Sequence, residues 1–525
     1  MSFDLPKSWI TVKIKDVSEV ITGNTPPTKE IENYGGQIPF VKPAELKDDY
    51  VGECETYLTE LGATKARILP LNSILVSCIG NLGKTAINKQ PVGFNQQINA
   101  IIPSIQLNPL FLFYQAQSVN FRNQLEDKSS ATVISIVNKT SFENLFINLP
   151  PLNEQNRIVE KIETLFSEID VGVESLSKAK IQLERYRQSL LKHAFEGKLT
   201  AQWRAEFESK NGKPLPTADE LIEQIQTARQ AHYDKQIKEW ELAVKTWEAN
   251  GKNGKKPTKP TKLDEIRLIE NLSNLPLTWK NFYLDDLSEI SGGLTKNSKR
   301  HTFAEQVPYL RVANVYANEL RLDEISQIGI QESEKPRTLL QKDDLLIVEG
   351  NGSIEQIGRV AIWNDEISPC YHQNHLIKSR AYNYANPKFI LYFLMSHLGR
   401  KRIVEVASST AGLHTLSLSK VSNLILPLAT LEEQNQIIEI LDMKLSEVEK
   451  SVSEISIQLE KAKLLKSAIL HKAFQGKLIP QDPTDPPASQ LLDQITAERQ
   501  AKQTAQTEKK VQTKSKAKKP KTESN

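Results

Sequence analysis

The feature that most constrains this chain is that it is written twice. "LPKSWITVKIKDVSEVITG" (5–23) returns as "LPLTWKNFYLDDLSEISGG" (275–293), so that Leu5, Pro6, Trp9, Asp16, Ser18, Glu19 and Gly23 recur as Leu275, Pro276, Trp279, Asp286, Ser288, Glu289 and Gly293. "IPFVKPAEL" (38–46) is echoed by "VPYLRVANV" (307–315), "LNEQNRIVEKI" (152–162) by "LEEQNQIIEIL" (431–441), and "KHAFEGKL" (192–199) by "HKAFQGKL" (471–478). The tails repeat as well, "ELIEQIQTARQ" (220–230) as "QLLDQITAERQ" (490–500). A repeat of about 270 residues is too long for a solenoid and reads as a tandem duplication with pseudo-two-fold symmetry.

Each copy has two unlike parts. The first carries short apolar runs such as "SILVSCI" and "DLLIVEG", with glycine turns between them, which predict strands. Helices interrupt them. Asp16-x-x-Glu19 and Asp286-x-x-Glu289 predict helix starts with a capping box. Asn108-Pro109 and Asn386-Pro387 place a cap and then proline at the first helical position. The second part repeats apolar residues at spacings of three and four. In copy one these are Ile158, Ile162, Leu165, Ile169, Val173, Leu176, Leu183, Tyr186, Leu190 and Ala194. In copy two they are Ile437, Leu441, Leu445, Val448, Val452, Ile455, Leu459, Leu465, Ile469 and Ala473. That pattern predicts two amphipathic helices of about 40 residues, each about 60 Å long. Pairing within the chain, related by the pseudo-dyad, makes them antiparallel and puts the globular parts at opposite ends.

The fold class is therefore an α/β (α+β) tandem duplication, with two globular domains separated by two long antiparallel helices that form a coiled coil. The expected boundaries are 1–150 (first globular domain), 151–199 (helical spacer) and 200–270 (helical tail and Lys/Pro-rich linker). Copy two follows as 271–427 (second globular domain), 428–480 (second spacer) and 481–525 (helical segment and basic disordered tail).

Composition narrows the compartment. Hydrophobic residues make up 39% of the chain, and no apolar run approaches the roughly 20 residues that span a bilayer. The N-terminus lacks a long apolar signal core, and Cys54, Cys78 and Cys370 are odd in number and widely spaced. A cytoplasmic protein without membrane association is expected. The net charge of +3 says little, but "GKNGKKPTKPTK" (251–262) and "KKVQTKSKAKKPKTESN" (509–525) concentrate lysine. They read as solvated linker and tail, with nucleic-acid arms as the alternative.

Motifs for chemistry fail one by one. "SCIGNLGKTA" (77–86) approaches a phosphate-binding loop, but Gly80 to Gly83 is two residues short of the G-x-x-x-x-G-K-[ST] spacing. The copy-two equivalent, "DLLIVEGNGSIEQIGRVAI" (344–362), has Gly358-Arg359-Val360 where copy one has Gly83-Lys84-Thr85, so both read as strand, glycine turn, strand. Asp485-Pro486-Pro487 is followed by Ala488 rather than the aromatic residue of a methyltransferase D-P-P-[YF] loop, and it sits in a proline-rich linker. No glycine-rich motif for S-adenosylmethionine is found. His372 and His375 have metal-like spacing, but copy one aligns there with Asn95 and Ile98, so no metal site is expected. Asp48-Asp49 and Asp343-Asp344 read as caps and turns. The trios Asn95-Gln96-Gln97 and His372-Gln373-Asn374 either read base edges or tie loops together.

A duplicated chain of alternating domains and helices resembles the DNA-specificity subunit of type I restriction–modification systems, over nearly its whole length. The resemblance rests on "LPPLNEQNRIVEKI" and "LATLEEQNQIIEIL" opening the helices, on "HAFEGKLTAQWRAE" and "HKAFQGKL" closing them, and on LPxxW and the "LLDQITAERQ" tail. It implies that 1–150 and about 271–427 are target-recognition domains, each reading half of a split sequence in double-stranded DNA. The helices would space the half-sites and dock two modification subunits, with restriction (motor-nuclease) subunits joining them. The chain itself would be non-catalytic and hold no cofactor, with S-adenosylmethionine, ATP and Mg on the partners.

Recognition domains diverge in this family, so the DNA-contact candidates are simply the polar and basic loop residues. They are Lys42, Lys84, Asn95, Gln96, Arg122 and Lys128 in copy one, and Arg311, Asn314, Arg359, His372, Gln373, Arg400 and Lys401 in copy two. Arg and Asn/Gln can pair bidentately with guanine and adenine, while Lys mainly holds phosphates. Two rivals are a coiled-coil scaffold binding two proteins without DNA, and a nucleotide hydrolase using Lys84.

Overall fold

The computed structural model describes residues 5–130, 134–254, 256–260, 262, 265–267, 269, 275–410 and 413–516. They fall into two compact units, one of residues 1–177 with 455–525, the other of 178–454. These are not the sequence repeats, because each long helix is divided between both units.

In the first unit a five-stranded sheet has the order Ser18–Thr22, Ile98–Pro103, Ile74–Ser77, Thr85–Ile87, Asp49–Tyr50. All neighbours are antiparallel except the last pair. Strand Ile74–Ser77 is buried at every position because both faces are covered. Ile74 and Val76 face helices through Phe113, Phe121 and Leu125, while Leu75 faces a second core with Val41 and Phe94. Those last two belong to a four-stranded sheet containing Tyr34–Val41 and Val92–Phe94. A strand covered on both faces loses its polar alternation, hence the continuous apolar run. The second unit repeats the plan: strand Leu345–Val348 sends Leu345 and Ile347 into one core and Leu346 and Val348 into another.

The asparagine–proline caps are made as expected. Asn108 Oδ1 accepts from Leu110 N at 2.9 Å, and Asn386 Oδ1 from Lys388 N at 2.9 Å. The Asp16 and Asp286 helices differ from expectation. Each is a single turn, Ile14–Val17 and Leu284–Leu287, and Glu19 and Glu289 lie in the strands that follow. Asp16 is the third residue of its turn, and its carboxylate accepts from Lys13 N at 2.9 Å. The alternating "SEVIT" pairs with Ile98–Pro103, and that ladder stops the helix.

The repeated Glu-Gln-Asn at each long-helix start has a separate task for each letter. Glu154 Oε2 accepts from Trp9 Nε1 at 3.0 Å, and Glu433 Oε2 from Trp279 Nε1 at 2.8 Å. Gln155 and Gln434 accept the backbone N–H of Asn108 and Asn386 at 3.1 and 2.7 Å. Asn156 and Asn435 accept from the same asparagines' side chains at 2.8 and 3.0 Å. Helix start, helix cap and LPxxW are thereby locked together in both copies.

The long helices span Leu152–Phe195 and Leu431–Ala473. In the first unit Ile158 and Ile162 pack with Ile469 and Ala473; in the second, Leu190 and Ala194 pack with Ile437 and Leu441. The paired segments are antiparallel in each unit. Tyr186 and Leu465, assigned to the seam by spacing, are 45% and 52% exposed and lie off it.

Each unit closes with a segment from the other copy. Gly197, after the first long helix, packs on Pro276, and Gly476, after the second, packs on Pro6. Helix Ala218–Ala249 then buries Leu221 and Ile225 in the core of the second unit, and helix Ala488–Lys516 buries Leu491 and Ile495 in the core of the first. The lysine-rich linker is not simply solvated: Trp240 and Trp247 donate to the carbonyls of Pro257 and Gly254 at 3.1 Å each. Residues 509–516 are helical, and the tail beyond, 517–525, lies outside the described residues.

Gly23 and Gly293 recur for a steric reason. A Cβ on either would lie 2.1 Å from a backbone oxygen, of Asn95 and His372 respectively. Gly23→Ala and Gly293→Ala should each cost about 1–3 kcal/mol or more, read as a lower thermal midpoint for the substituted unit. An unchanged melting curve would contradict this close approach.

Candidate nucleic-acid interface

The loop that resembles a phosphate binder is a hairpin turn. Strand Ile74–Ser77 pairs antiparallel with Thr85–Ile87, and no helix follows Lys84. Ser77 Oγ accepts from Lys84 N at 2.9 Å and donates to the Asn81 carbonyl at 2.6 Å, so the backbone groups there are turned inward. Gly83 has φ +77°, and Arg122 lies against it, 3.4 Å from where a Cβ would stand. Lys84 and Arg122 therefore share one edge of the first globular domain.

Their counterparts share an edge of the second. Gly358 has φ +64°, Arg359 follows it, and Arg400 donates to the carbonyls of Ile357 and Glu355 at 2.5 and 3.1 Å. Arg122 and Arg400 are equivalent: Ser118 and Ser396 cap their helices by accepting from Phe121 N and Gly399 N. The duplication has thus kept a basic residue after the turn and an arginine braced against it, with different side chains in each copy.

Other candidates are placed apart. Lys42 is ion-paired with Glu55 at 3.2 Å. Arg311, its equivalent, begins a turn in which Arg311 N donates to Asn314 Oδ1 at 2.9 Å. Asn314 is buried and spends its amide on the carbonyls of Arg321 and Glu324 at 2.8 and 3.0 Å. Asn95 is buried and bonded to Gln97 at 2.9 Å, while the exposed Gln96 accepts from Thr25 at 2.7 Å. Lys128 is exposed at a helix C-terminus, and Lys401, also exposed, is 3.8 Å from Glu405. Gln373 is half-buried, its N–H donating to the Leu310 carbonyl at 2.9 Å.

His372 departs most from expectation. Its ring is fully buried, and Nδ1, 2.9 Å from the Leu376 carbonyl, carries the proton. Desolvation first, and then the Lys378 charge, push its pKa down to about 3, so the imidazole is neutral. Parallel pairing sets Phe40 beside Gly93 and Tyr309 beside Tyr371, which makes His372 the counterpart of buried Phe94 rather than of Asn95. The alignment by sequence was one residue out of register. His375 lies apart, exposed, with Nδ1 2.7 Å from Glu349. Among the described residues no group of three or more His, Cys, Asp or Glu could hold a metal ion.

The acid pairs are engaged within the fold. Asp48, at φ +59°, accepts from Thr85 N and Oγ1 at 3.0 Å each. Buried Asp344 holds Arg380 through two bonds of 2.7 Å. The Asp485-Pro-Pro stretch is a strap in which Asp485 pairs with Arg157 at 2.5 Å.

Sequence reasoning missed an aromatic–arginine stack beside the second edge. The guanidinium carbons of Arg321 and Arg359 lie 3.8 and 4.6 Å from the Tyr316 ring centroid. It also missed Arg187 on the first long helix, which lines the same cleft as Arg359 and Arg400. No local motif marks these residues, because a hairpin and a helix bring them together.

Comparison with known proteins fits this architecture. The family model described as "Type I restriction modification DNA specificity domain" matches residues 6–180 and 276–461. The chain is 23% identical over 519 residues to the EcoKI type I restriction enzyme specificity subunit of Escherichia coli, covering 95% of this chain and 97% of that one. It is 21% identical over 513 residues to the StySPI specificity subunit of Salmonella potsdam, covering 94% and 96%. A chain of a solved type I R-M system superposes with a TM-score of 0.63 at 18% identity, covering 91% of this chain and 100% of that one.

Proposed function

This chain belongs to the family of type I restriction–modification DNA specificity proteins, and on that premise we propose that it is the subunit that reads a two-part target in double-stranded DNA. One half is read by residues 1–150 and the other by 271–427. It docks two modification subunits, which supply S-adenosylmethionine and the methylating site. Restriction subunits add the ATP- and Mg-dependent motor-nuclease. Catalysis belongs to the partners.

The observation that carries this reading is the contrast between frame and edge. Trp, Glu, Gln and Asn are repeated letter for letter where the helix meets the domain, yet the solvent-reaching loop residues change from Gln96 to Asn374 and from Gln97 to His375. One frame holding two unlike edges is what reading two unlike half-sites requires. Two protein partners would also allow divergence, but the basic residue kept after each glycine turn, Lys84 in one copy and Arg359 in the other, favours an anionic ligand on both domains. The exposed Tyr186 and Leu465 occupy equivalent positions near the two helix ends, which supports one docking patch for each modification subunit.

Methylation mapping tests this. Exchanging residues 1–150 together with 481–525 for those of a relative should change one half of the methylated sequence and keep the other. The closing helix must travel with its domain, because Ile495 is part of that core. A swap that rewrites both halves, or a chain that leaves no sequence methylated in the presence of its modification subunit, would overturn the proposal.

A further inference from the structure

We propose that the cleft between the first long helix and the second recognition domain, where Arg187, Arg359 and Arg400 converge, binds a phosphodiester of the DNA. The spacer helix would then be a DNA contact as well as a support. This rests on the DNA-reading role proposed above.

The cleft has a volume of about 420 Å³, within the range of small-ligand clefts, so a sugar–phosphate fits. Its walls are Leu191, Val360, Leu394 and Met395, and its charged lining is three arginines against Glu319 and Glu355. Glu319 is already engaged by Arg321 at 2.9 Å, which leaves the cleft net positive. Two of the three guanidinium groups have donors to spare: Arg187 Nε and Arg359 Nε are buried with no hydrogen-bond partner among the described residues. A buried donor left without a partner is costly, so each guanidinium gains from an added acceptor. Arg359 is aimed by its stack on Tyr316 at 4.6 Å, and Arg400 is held by the carbonyls of Ile357 and Glu355. Arg187 is 3.9 Å from Glu184 on its own helix, its one ion-pair partner among the described residues. Guanidinium donors in a partly desolvated, positive cleft are the usual receptor for a phosphate.

The duplication supplies an internal control. Lys466 takes the place of Arg187 in the first unit, one turn before the same Leu/Ala/Phe segment. There it pairs with Asp170 at 2.6 Å, and Asp48, Asp49, Glu163 and Glu174 line the surrounding cleft. Five carboxylates against Lys47, Arg122, Lys463 and Lys466 repel a phosphate. The contact is therefore confined to the second unit, and it carries no base information.

Salt dependence of DNA binding by the full chain with its modification subunits gives the test. Each lost phosphate contact should reduce the slope of log K against log salt by about 0.9, so affinity falls about 3.5-fold less between 50 and 200 mM salt. Arg187→Gln and Arg359→Gln should each show this decrease, Arg187→Lys should keep the wild-type slope, and Lys466→Ala should leave it unchanged. The methylated sequence should be the same in all four variants. Unchanged slopes for both Gln variants would overturn the inference, as would an altered methylated sequence. Should a Gln variant fail to fold, duplexes carrying a neutral methylphosphonate at single positions test the wild-type chain instead. One position on the half-site of the second domain should lower the slope by the same amount, and its absence would overturn the inference. Wild-type protein showing no sequence preference would instead count against the DNA-reading role itself.

Discussion

Ile495→Asp is expected to unfold the first globular domain while leaving the second unit intact. Ile495 is fully buried in the core that contains Val17, Ile101 and Phe113, all from the far end of the chain. The helix is pinned on both sides. Arg499 donates to the carbonyls of Lys15 and Ser18, and Ser104 donates to Glu498 at 2.6 Å. An unpaired carboxylate in that apolar site costs about 4–5 kcal/mol or more. For a unit of this size, that lowers the melting temperature by roughly 10–20 °C. Ile225→Asp is the mirror experiment, since Ile225 is fully buried in the second unit. Limited proteolysis should cut Ile495→Asp within 5–150 and Ile225→Asp within 275–427. Identical cleavage patterns would show that the closing helices do not serve the domains on which they pack.

The second large effect separates two glutamates that look alike in sequence. Buried Glu433 accepts from Trp279 at 2.8 Å, from Thr200 at 2.6 Å and from Arg204, whose side chain is only 17% exposed. Glu433→Ala leaves that guanidinium without its counter-charge and should cost about 3–5 kcal/mol. Among the described residues Glu154 has only neutral donors, Trp9 and Gln481, because the nearby Arg157 is engaged by Asp485. Glu154→Ala should cost about 1–3 kcal/mol, and Glu154→Gln less. The pH response follows from burial, which holds the Glu154 carboxyl above its ordinary value of 4.5. A carboxyl raised in the folded state binds its proton more tightly there than when unfolded. Its contribution to stability is fully present below 4.5 and is lost as pH rises through the raised value. Denaturant midpoints of the first unit, followed from mildly acidic to neutral pH, should show this loss in wild type and not in Glu154→Gln. Equal costs for the two Ala variants would refute the difference in partners.

Much of this was legible because it is local. The asparagine–proline caps need only neighbouring residues, and the long helices follow from apolar spacing. Periodicity was too coarse for Tyr186 and Leu465, which fit a spacing of three or four and still face outward. The single-turn helices were missed because ladder bonds to Ile98–Pro103 and Leu376–Ala381 outweigh a local cap. His372 was misplaced because a one-residue slip exchanges a buried for an exposed position in a strand, and only pairing between strands fixes that register.

The duplication, the elements of each copy and the family to which they belong can all be read from the residues alone. All of that information lies in short spacings and in residues that recur. Tertiary structure decided which copy completes which unit. The Trp–Glu and Pro–Gly partners are present in both copies, so the letters alone permit each copy to close on itself. A rigid helix of 44 residues, rising about 1.5 Å per residue, cannot bring its end back to its own beginning. Gly197 therefore meets Pro276, Gly476 meets Pro6, and each globular domain is finished by residues encoded with the other.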